Sequence, residues 1–195
     1  MIKNVIFDIG NVIFYYNREF LLRHFYSGNQ FDFLIDKLFC RWELLDEDKL
    51  SLEDYVSLAE DSLPTNLKKY ARAVLNNWEY FMQYNKEIMC LIRELKQKGY
   101  KLYILSNMTK HFINNQYKFP ILKEFDGIIY SAPIKMVKPN EDIYHYLLDK
   151  FNLNPTECVF VDDIKKNLAT AARFGIKTFH YQSNTDQLRE FILSL

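Results

Sequence analysis

The feature of this sequence that most restricts its fold is the alternation of short apolar runs with longer amphipathic stretches. Strands are predicted at residues 4–7, 101–105, 128–130, 158–161 and 177–180. Helices are predicted at residues 86–98, 141–151 and 166–174, where apolar residues recur at the spacing of one helical face. Short apolar runs separated by helices are typical of parallel strands buried on both faces. The pattern predicts an α/β fold with a Rossmann-like parallel sheet core and helices on both faces.

Residues 15–85 interrupt this alternation. Helical patterns occur at residues 18–25, 32–42, 51–60 and 65–77, and no strong strand signal accompanies them. Ser51 followed by Asp54 is typical of a helix N-terminus. We therefore predict an inserted helical bundle that forms a cap from residues 15–85, and an α/β core formed from residues 1–14 and 86–195. Gly99 and Gly175 are expected to end two core helices, and the last helix is expected to start after Thr185.

Charge and composition exclude several classes of function. Lys plus Arg and Asp plus Glu number 25 each, so a nucleic-acid or membrane-surface partner has no electrostatic basis. No apolar stretch approaches the roughly 18 residues that a membrane span requires. The N-terminus shows no secretory signal pattern, and we expect a cytoplasmic protein that is a monomer or a homodimer.

The three cysteines are expected to be buried free thiols. Cys40, Cys90 and Cys158 are far apart and lie among apolar residues. Their odd number and spacing fit neither a disulfide framework nor a zinc motif.

Polar residues follow several predicted strands where those strands end. Asp8 follows the first strand, Ser106-Asn107 follows the second, and Asp162-Asp163 follows the fourth. Lys138 precedes the proline before a predicted helix. In open α/β sheets the ligand site lies outside the carboxyl ends of the strands, so these side chains are expected to share one site.

These residue types together suit a hard cation and a phosphoryl group. Carboxylate oxygens are ligands for Mg²⁺, and an ammonium and a hydroxyl can hold phosphoryl oxygens. A remaining carboxylate can attack phosphorus to form an aspartyl phosphate, which water then cleaves.

Four segments in the same order resemble the motifs of the haloacid dehalogenase-like (HAD) hydrolase superfamily. They are Phe7-Asp8-Ile9-Gly10-Asn11-Val12, Leu105-Ser106-Asn107, Val137-Lys138-Pro139, and Val161-Asp162-Asp163 with Asn167. The helical segment after the first motif is placed like a C1-type cap of that superfamily. The Asp-Ile-Gly-Asn-Val form of the first motif further resembles a bacterial branch that includes glucose-1-phosphate phosphatases.

This resemblance implies roles for individual residues. Asp8 would be the nucleophile, and Ser106 and Lys138 would hold the phosphoryl group and take part in catalysis. Mg²⁺ would be bound by Asp8, the backbone carbonyl of Gly10 and Asp163, with Asp162 as a further or supporting ligand. Lys138 would also favour the ionised form of Asp8. Asn107 would contact or orient the phosphate site, and Asn167 would orient the acidic pair.

One position departs from the pattern of the superfamily. Most of its phosphatases have a second aspartate two residues after the nucleophile as general acid and base, and here that position is Gly10. Loss of such a group costs on the order of 10²- to 10⁴-fold in rate. Three explanations are open: a substitute donor such as Asn11 or a cap residue, a leaving group that needs no acid, or a protein without turnover.

Substrate specificity is expected to come from the predicted cap. Candidate substrate contacts follow the first motif and lie in the insertion: Tyr15, Tyr16, Asn17, Arg18, Arg41, Trp42 and Glu43, with Asn11 in the first motif. Tyr15, Tyr16 and Trp42 are equally candidates for packing. The expected activity is Mg²⁺-dependent hydrolysis of a small phosphorylated metabolite such as a sugar phosphate.

Three other functions are alternatives to phosphatase activity. A 2-haloacid dehalogenase needs no Mg²⁺, and the adjacent Asp162 and Asp163 argue against it because they repel Asp8 without a cation. A non-catalytic regulator that binds phospho-ligands is suggested only by Gly10. A phospho-accepting receiver domain carries its acidic pair after the first strand, which is the reverse of the order here.

Overall fold

The computed structural model describes residues 1–195, and its centre is a parallel sheet of five strands. The strands of the chain are β1 (Asn4–Phe7), β2 (Phe14–Tyr15), β3 (Gln83–Tyr84), β4 (Lys101–Ser106), β5 (Gly127–Tyr130), β6 (Cys158–Asp162) and β7 (Lys177–His180). The main sheet has the order β5-β4-β1-β6-β7, and each neighbouring pair is parallel. The predicted fold class is confirmed.

Eleven α-helices surround or extend this sheet. They are α1 (Arg18–Phe25), α2 (Phe31–Phe39), α3 (Glu43–Asp46), α4 (Leu52–Asp61), α5 (Lys68–Leu75), α6 (Lys86–Gln97), α7 (Lys110–Asn115), α8 (Ser131–Ile134), α9 (Glu141–Phe151), α10 (Lys165–Arg173) and α11 (Thr185–Leu193). None of these helices combines the length and the apolar character that a membrane span demands.

The central strand β1 shows why the sheet has helices on both faces. Val5, Ile6 and Phe7 are fully buried, and successive side chains of a strand point to opposite faces. Val5 and Phe7 belong to the same apolar cluster as Leu91 of α6. Ile6 belongs to a second cluster that contains Tyr144 of α9. Burying apolar surface on both faces requires both helical layers, and it fixes the carboxyl edge of the sheet relative to the rest of the chain.

Residues 15–85, which we call the cap segment, contain α1 to α5. The division of the chain at residues 15 and 86 stays a prediction. Ser51 caps α4, because its hydroxyl accepts a hydrogen bond from the amide of Asp54 at 3.1 Å. Buried residues of the cap segment, such as Leu21 and Val74, belong to the same apolar cluster as Val5. The apolar core of the cap segment is therefore continuous with the apolar core on one face of the sheet.

The structure corrects several boundaries of the predicted cap elements. The helix predicted over residues 32–42 ends at Phe39, and the short α3 follows separately. Between them the Trp42 ring packs edge-on against Tyr55 and Trp78, at centroid distances of 6.0 and 5.4 Å. These tertiary contacts fix a turn that helical periodicity alone does not reveal. The predicted helix at residues 65–77 is shorter, because residues 64–67 form a turn before α5.

Short elements also escape the sequence pattern. β2 and β3 pair antiparallel where the chain enters and leaves the cap segment, in a region predicted to lack strands. Each has only two residues, which is too short to show a periodic pattern. The last helix, α11, starts at Thr185 itself because Asn184 caps it.

The prediction of buried cysteines is wrong for two of the three. Cys158 is buried at the start of β6, whereas Cys40 and Cys90 are exposed. Cys40 lies at the end of α2, and Cys90 lies on the outer face of α6. Apolar neighbours in sequence did not decide their burial, because adjacent residues of a helix face different directions. All three thiols are free.

The Asn85 side chain stabilises the point at which the chain returns from the cap segment to the core. It is buried, it caps α6 by accepting a hydrogen bond from the amide of Ile88, and its own amide donates to Val12 O at 3.0 Å and Tyr181 Oη at 2.8 Å. One side chain thus joins the loop after β1, the start of α6 and the end of β7.

We expect Asn85→Ala to destabilise the fold by about 2–3 kcal/mol, since it removes a helix cap, leaves the buried Val12 carbonyl without its donor and leaves the Tyr181 hydroxyl with Thr185 as its remaining partner. The matched control is Asn184→Ala, which removes the exposed cap of α11 and is expected to cost about 1 kcal/mol. Chemical denaturation of the two variants measures the difference. Equal losses of stability would contradict the joining role of Asn85.

Candidate active site

The carboxyl edge of the sheet brings the predicted site residues together. Asp8 directly follows β1, Ser106 ends β4 and Asp162 ends β6, and β1 lies between β4 and β6 in the sheet. Lys138 lies in the loop between α8 and α9. A cavity of about 230 Å³ opens at this edge. Its lining residues come from core loops and from the cap segment: Asp8, Gly10, Asn11, Tyr16, Arg18, Trp42, Asp46, Trp78, Met82, Ser106, Asn107, Met108, Lys138, Asp163, Ile164 and Asn167.

Lys138 and two carboxylates form the centre of the site. Its ammonium lies 2.6 Å from Asp162 Oδ2 and 2.9 Å from Asp8 Oδ1, and all three side chains are buried. The contact with Asp8 is an ion pair without hydrogen-bond geometry, so Asp8 Oδ1 accepts no hydrogen bond. One buried cation between two buried anions offsets much of their mutual repulsion.

Asp162 holds Lys138 in place and is itself fully engaged. Its two oxygens accept hydrogen bonds from the Asn167 amide at 3.1 and 3.0 Å, and Oδ1 also accepts from the backbone amide of Ile164 at 2.7 Å. Asp162 is fully buried and does not line the cavity. Asn167 contacts Asp162 and not Asp163, and its role in orienting the acidic pair stays a prediction.

Asn107 also orients Lys138. Its side chain accepts a hydrogen bond from the Lys138 amide at 2.8 Å and donates one to the Lys138 carbonyl at 2.9 Å. The Asn107 side chain is therefore occupied, although its backbone amide donates to no acceptor in the protein. The backbone amide of Gly10 is free in the same way, and both residues line the cavity.

Asn11 connects the first motif to the fourth. Its amide donates to Asp163 Oδ2 at 3.1 Å, and its side-chain oxygen accepts from the amide of Tyr16 at 3.1 Å. Asn11 has a φ of 52°, in the left-handed region that asparagine tolerates better than most residues. Because its amide is engaged on both sides, Asn11 positions Asp163 and is poorly placed to act as a proton donor.

Burial governs the ionisation of the site. It raises the pKa of Asp8 to about 6, although the Lys138 ammonium opposes the shift. The expectation that Lys138 favours ionised Asp8 is right in direction, but burial outweighs that effect. Burial alone would lower the pKa of Lys138, but Asp8 and Asp162 outweigh it and raise that pKa. Burial also raises the pKa of Asp163, against the hydrogen bond from Asn11.

The acidic residues fit a divalent cation. Carboxylate oxygens of Asp8, Asp162 and Asp163 lie within 4.8 Å of one another. Asp8 Oδ1 accepts no hydrogen bond, and the Gly10 carbonyl accepts none from the protein. An all-oxygen set with unsatisfied acceptors is the donor chemistry that Mg²⁺ prefers.

The cap segment supplies the other wall of the cavity. Arg18 and Trp42 line it, as the sequence predicts, and so does Tyr16, whereas Tyr15 does not. Tyr16 and Trp78 pack edge to face, 5.6 Å apart. The Tyr16 hydroxyl and the Trp78 indole nitrogen are both buried without a hydrogen-bond partner.

Sequence reasoning missed Asp46 and Trp78 in this wall. Asp46 lies among other acidic residues between Glu43 and Asp48, a pattern typical of a solvated helix end. Trp78 lies in a short 3-10 turn outside every predicted element. No local signal in the sequence distinguishes either residue from its neighbours.

Comparison with known families agrees with the motifs. The profile of the haloacid dehalogenase-like hydrolase family matches residues 43–181, which include Lys138, Asp162 and Asp163. A HAD family enzyme of Bacteroides thetaiotaomicron, solved in complex with magnesium and inorganic phosphate, has the same fold. The TM-score is 0.73 at 22% identity, over 94% of this chain and 96% of that one.

Curated relatives divide into full-length and partial matches. A D-ribitol-5-phosphate phosphatase of Bacteroides thetaiotaomicron is 26% identical over 100% of this chain and 99% of its own length. The bifunctional epoxide hydrolase 2 of Rattus norvegicus is 28% identical over 76% of this chain, which spans only 29% of that protein. An (S)-2-haloacid dehalogenase of Burkholderia cepacia is 31% identical over 45% of this chain and 38% of its own length. With a family profile that matches more than half of its residues, the chain belongs to the haloacid dehalogenase-like hydrolase family.

Proposed function

We propose that this protein is a Mg²⁺-dependent phosphatase that hydrolyses a small phosphorylated metabolite through an aspartyl phosphate on Asp8. The observation that carries the proposal is the group formed by Asp8, Lys138, Asp162 and Asp163 at the carboxyl edge of the sheet. The group combines a buried nucleophile, a buried ammonium and a set of cation ligands beside one small cavity.

The phosphoryl group would be held by donors that surround Asp8. Lys138 supplies an ammonium, Ser106 supplies a hydroxyl, and Gly10 and Asn107 supply backbone amides without acceptors in the protein. Donors fixed in position before substrate binds stabilise the charge of the phosphoryl oxygens without reorganisation. Asp8 Oδ1 accepts no hydrogen bond, so a lone pair remains available to attack phosphorus.

Asp8, the Gly10 carbonyl and Asp163 would hold the magnesium ion. When bound, the ion would neutralise charge on the carboxylates and on the phosphoryl oxygens. Asp162 is better suited to support than to direct coordination, because both of its oxygens already accept hydrogen bonds from Lys138, Asn167 or Ile164. The cation would allow Asp8 and Asp163 to remain ionised together despite their burial.

We infer that the substrate carries hydroxyl groups, as sugar and polyol phosphates do. The cavity is small, and in two residues of its cap wall the Tyr16 hydroxyl and the Trp78 indole N–H have no hydrogen-bond partner in the protein. Burying polar groups without partners costs free energy that a hydroxylated ligand would recover. The full-length relative named D-ribitol-5-phosphate phosphatase agrees with a phosphorylated polyol.

The site is less suited to dehalogenation. Asp162 and Asp163 place two acidic groups beside Asp8, with Lys138 as the only ammonium among them. A halide is displaced by a carboxylate without a metal ion, so the surplus negative charge would have no purpose in that reaction. Chloride release from 2-chloropropionate in EDTA is the assay that distinguishes this activity.

We expect Mg²⁺ to stabilise the wild-type protein against thermal unfolding, by about 2.7 kcal/mol at a hundredfold excess over its dissociation constant. Asp163→Asn is expected to remove most of this stabilisation, because it replaces a charged ligand. The control is Asp149→Asn, an exposed carboxylate on α9 outside the cavity. Equal stabilisation of both variants would place the cation elsewhere.

We expect wild-type protein to release phosphate from sugar phosphates and from 4-nitrophenyl phosphate only when Mg²⁺ is present. Asp8→Asn is expected to lower kcat on both substrates by at least on the order of 10³-fold, because the amide is a poor nucleophile. Asp149→Asn serves again as the control. Undiminished turnover by Asp8→Asn, or chloride release from 2-chloropropionate in EDTA, would overturn the proposal.

We expect Tyr16→Phe to raise KM for the best sugar phosphate about 2- to 10-fold, through loss of one hydrogen bond to a substrate hydroxyl. Steady-state kinetics on 4-nitrophenyl phosphate, which has no such hydroxyl, are expected to be unchanged. Tyr15→Phe is the control, because Tyr15 lies outside the cavity. An equal effect on both substrates would argue for a packing role of Tyr16.

A further inference from the structure

Gly10 leaves the nucleophile without the neighbouring carboxylate that would protonate the leaving group. The position itself has room for a side chain. A Cβ built there would meet only Asp8 Oδ2, at 3.9 Å, which is an ordinary contact. Gly10 is not among the residues with positive φ, so a substitution there would not strain the backbone. Steric exclusion therefore does not explain the absence of a carboxylate side chain at position 10. If the site hydrolyses alkyl phosphates, another residue must supply the proton for the leaving group.

Most ionisable side chains around the cavity are unsuited to this task. Lys138 is paired with two carboxylates, and Asp163 is held by Asn11 as a cation ligand. Burial raises the pKa of the Tyr16 phenol far above neutrality, so it can donate a hydrogen bond but is a poor acid. Arg18 does not release its proton in proteins. Asp46 is the remaining acidic side chain that lines the cavity and has no assigned role.

Asp46 is fixed to the core although it belongs to the cap segment. It is the last residue of α3, and its carbonyl accepts a hydrogen bond from the Ser131 hydroxyl at 2.6 Å. The same hydroxyl accepts from the amide of Met108 at 2.9 Å, and Met108 lines the cavity. Two residues further along, Asp48 forms an ion pair with Lys110 at 2.6 Å. These contacts hold the end of α3 over the loop that follows β4.

The Asp46 carboxyl group is free to act on a ligand. No protein donor forms a hydrogen bond with the carboxyl group, and no cation lies within ion-pair distance of it. The hydrogen bonds of Asp46 are made by its backbone amide and carbonyl. It is partly buried and lines the same cavity as Asp8 and Lys138. Asp46 lines this small cavity from the cap segment and Asp8 lines it from the core, and the leaving group of a substrate bound at Asp8 would lie toward the cap segment.

The surroundings of the Asp46 carboxyl group allow it both to donate and to accept a proton near neutral pH. Burial raises the pKa of Asp46 to about 7. Arg18 of α1 lowers this pKa and Asp8 raises it, with smaller effects from Lys138, which lowers it, and from Glu43 of α3, which raises it. Two other cations lie near the end of α3, and both are paired: Lys110 with Asp48, and Lys49 with Glu47.

We propose that Asp46 is the general acid and base of this site, contributed by the cap segment in place of the carboxylate missing at position 10. This inference rests on the proposed phosphatase activity. It assigns to one cap residue the proton transfers that Asn11, which is engaged with Asp163 and Tyr16, is poorly placed to perform.

The two half-reactions balance with Asp46 alone. In the first, an Asp8 oxygen bonds to phosphorus, the bond from phosphorus to the leaving oxygen breaks, and the Asp46 proton moves to that oxygen to release the alcohol. In the second, the Asp46 carboxylate takes a proton from water while the water oxygen bonds to phosphorus and the bond to Asp8 breaks. Phosphate leaves, and Asp46 is again protonated.

The test compares two leaving groups. We expect Asp46→Asn to lower kcat/KM for a sugar phosphate on the order of 10²- to 10³-fold, because an alkoxide leaves poorly without a proton. For 4-nitrophenyl phosphate, whose phenolate leaves unprotonated, kcat/KM is expected to change less than about 10-fold. The variant should then release one equivalent of nitrophenolate rapidly and turn over slowly, since water attack lacks its base. The matched control is Glu47→Gln, a neighbouring carboxylate outside the cavity.

Two further measurements extend the test, and the first of them does not depend on how well Asp46→Asn folds. In the wild type, kcat/KM for the sugar phosphate should fall above about pH 7, where Asp46 loses its proton, and kcat/KM for 4-nitrophenyl phosphate should lack this limb. Gly10→Asp, added to Asp46→Asn, should restore sugar phosphate hydrolysis at least partly, because position 10 accommodates a side chain.

Failure of this inference differs from failure of the proposed function. An equal loss on both substrates, or no loss on either, in a protein whose Asp8→Asn variant is inactive, overturns the role of Asp46 alone. A wild-type protein that hydrolyses neither substrate with Mg²⁺, or an active Asp8→Asn variant, overturns the phosphatase activity on which it rests.

Discussion

The ion pairs of Lys138 with Asp8 and Asp162 are the interaction on which the rest of the site depends. Three carboxylates meet where β1 and β6 end, and without a counter-charge their repulsion would oppose the packing of those strands. Lys138 supplies that charge from a loop on the other side of β4, and Asn107 fixes the backbone of that loop. The buried cluster therefore links the order of the strands to the position of Asp8, the proposed nucleophile.

The cap segment completes this centre from the opposite side. Tyr16, Trp42 and Trp78 form an aromatic wall in which two polar atoms lack partners, and Asp46 places a free carboxyl beside it. In the proposed activity the core carries the residues that would act on phosphorus, while the cap segment carries those that would contact the rest of the substrate. Because of this division, substitutions in the cap segment could alter substrate specificity without disturbing the buried ion pairs of the core.

The cap wall of the cavity changes what Gly10 implies about the source of the catalytic proton. As a feature of the sequence it suggests either a lost activity or a substitute proton donor. The structure shows room for a side chain at Gly10. In the same cavity, the Asp46 carboxyl group has no hydrogen-bond or ion-pair partner in the protein. General acid catalysis needs a carboxyl at the leaving oxygen, and it does not require that the carboxyl be close to the nucleophile in sequence.

The sequence by itself determined the α/β core and the residues at its carboxyl edge. Strand and helix periodicities are local, and a parallel sheet places Asp8, Ser106 and Asp162 at one edge whatever else the chain does. Tertiary structure alone decided which residues of the cap segment face that edge, because a turn at residues 40–42 and the hydrogen bond from Ser131 bring Asp46 there. It also decided the exposure of Cys40 and Cys90 and the pKa of Asp8. Burial depends on contacts between segments that are distant in the chain, which no local pattern records.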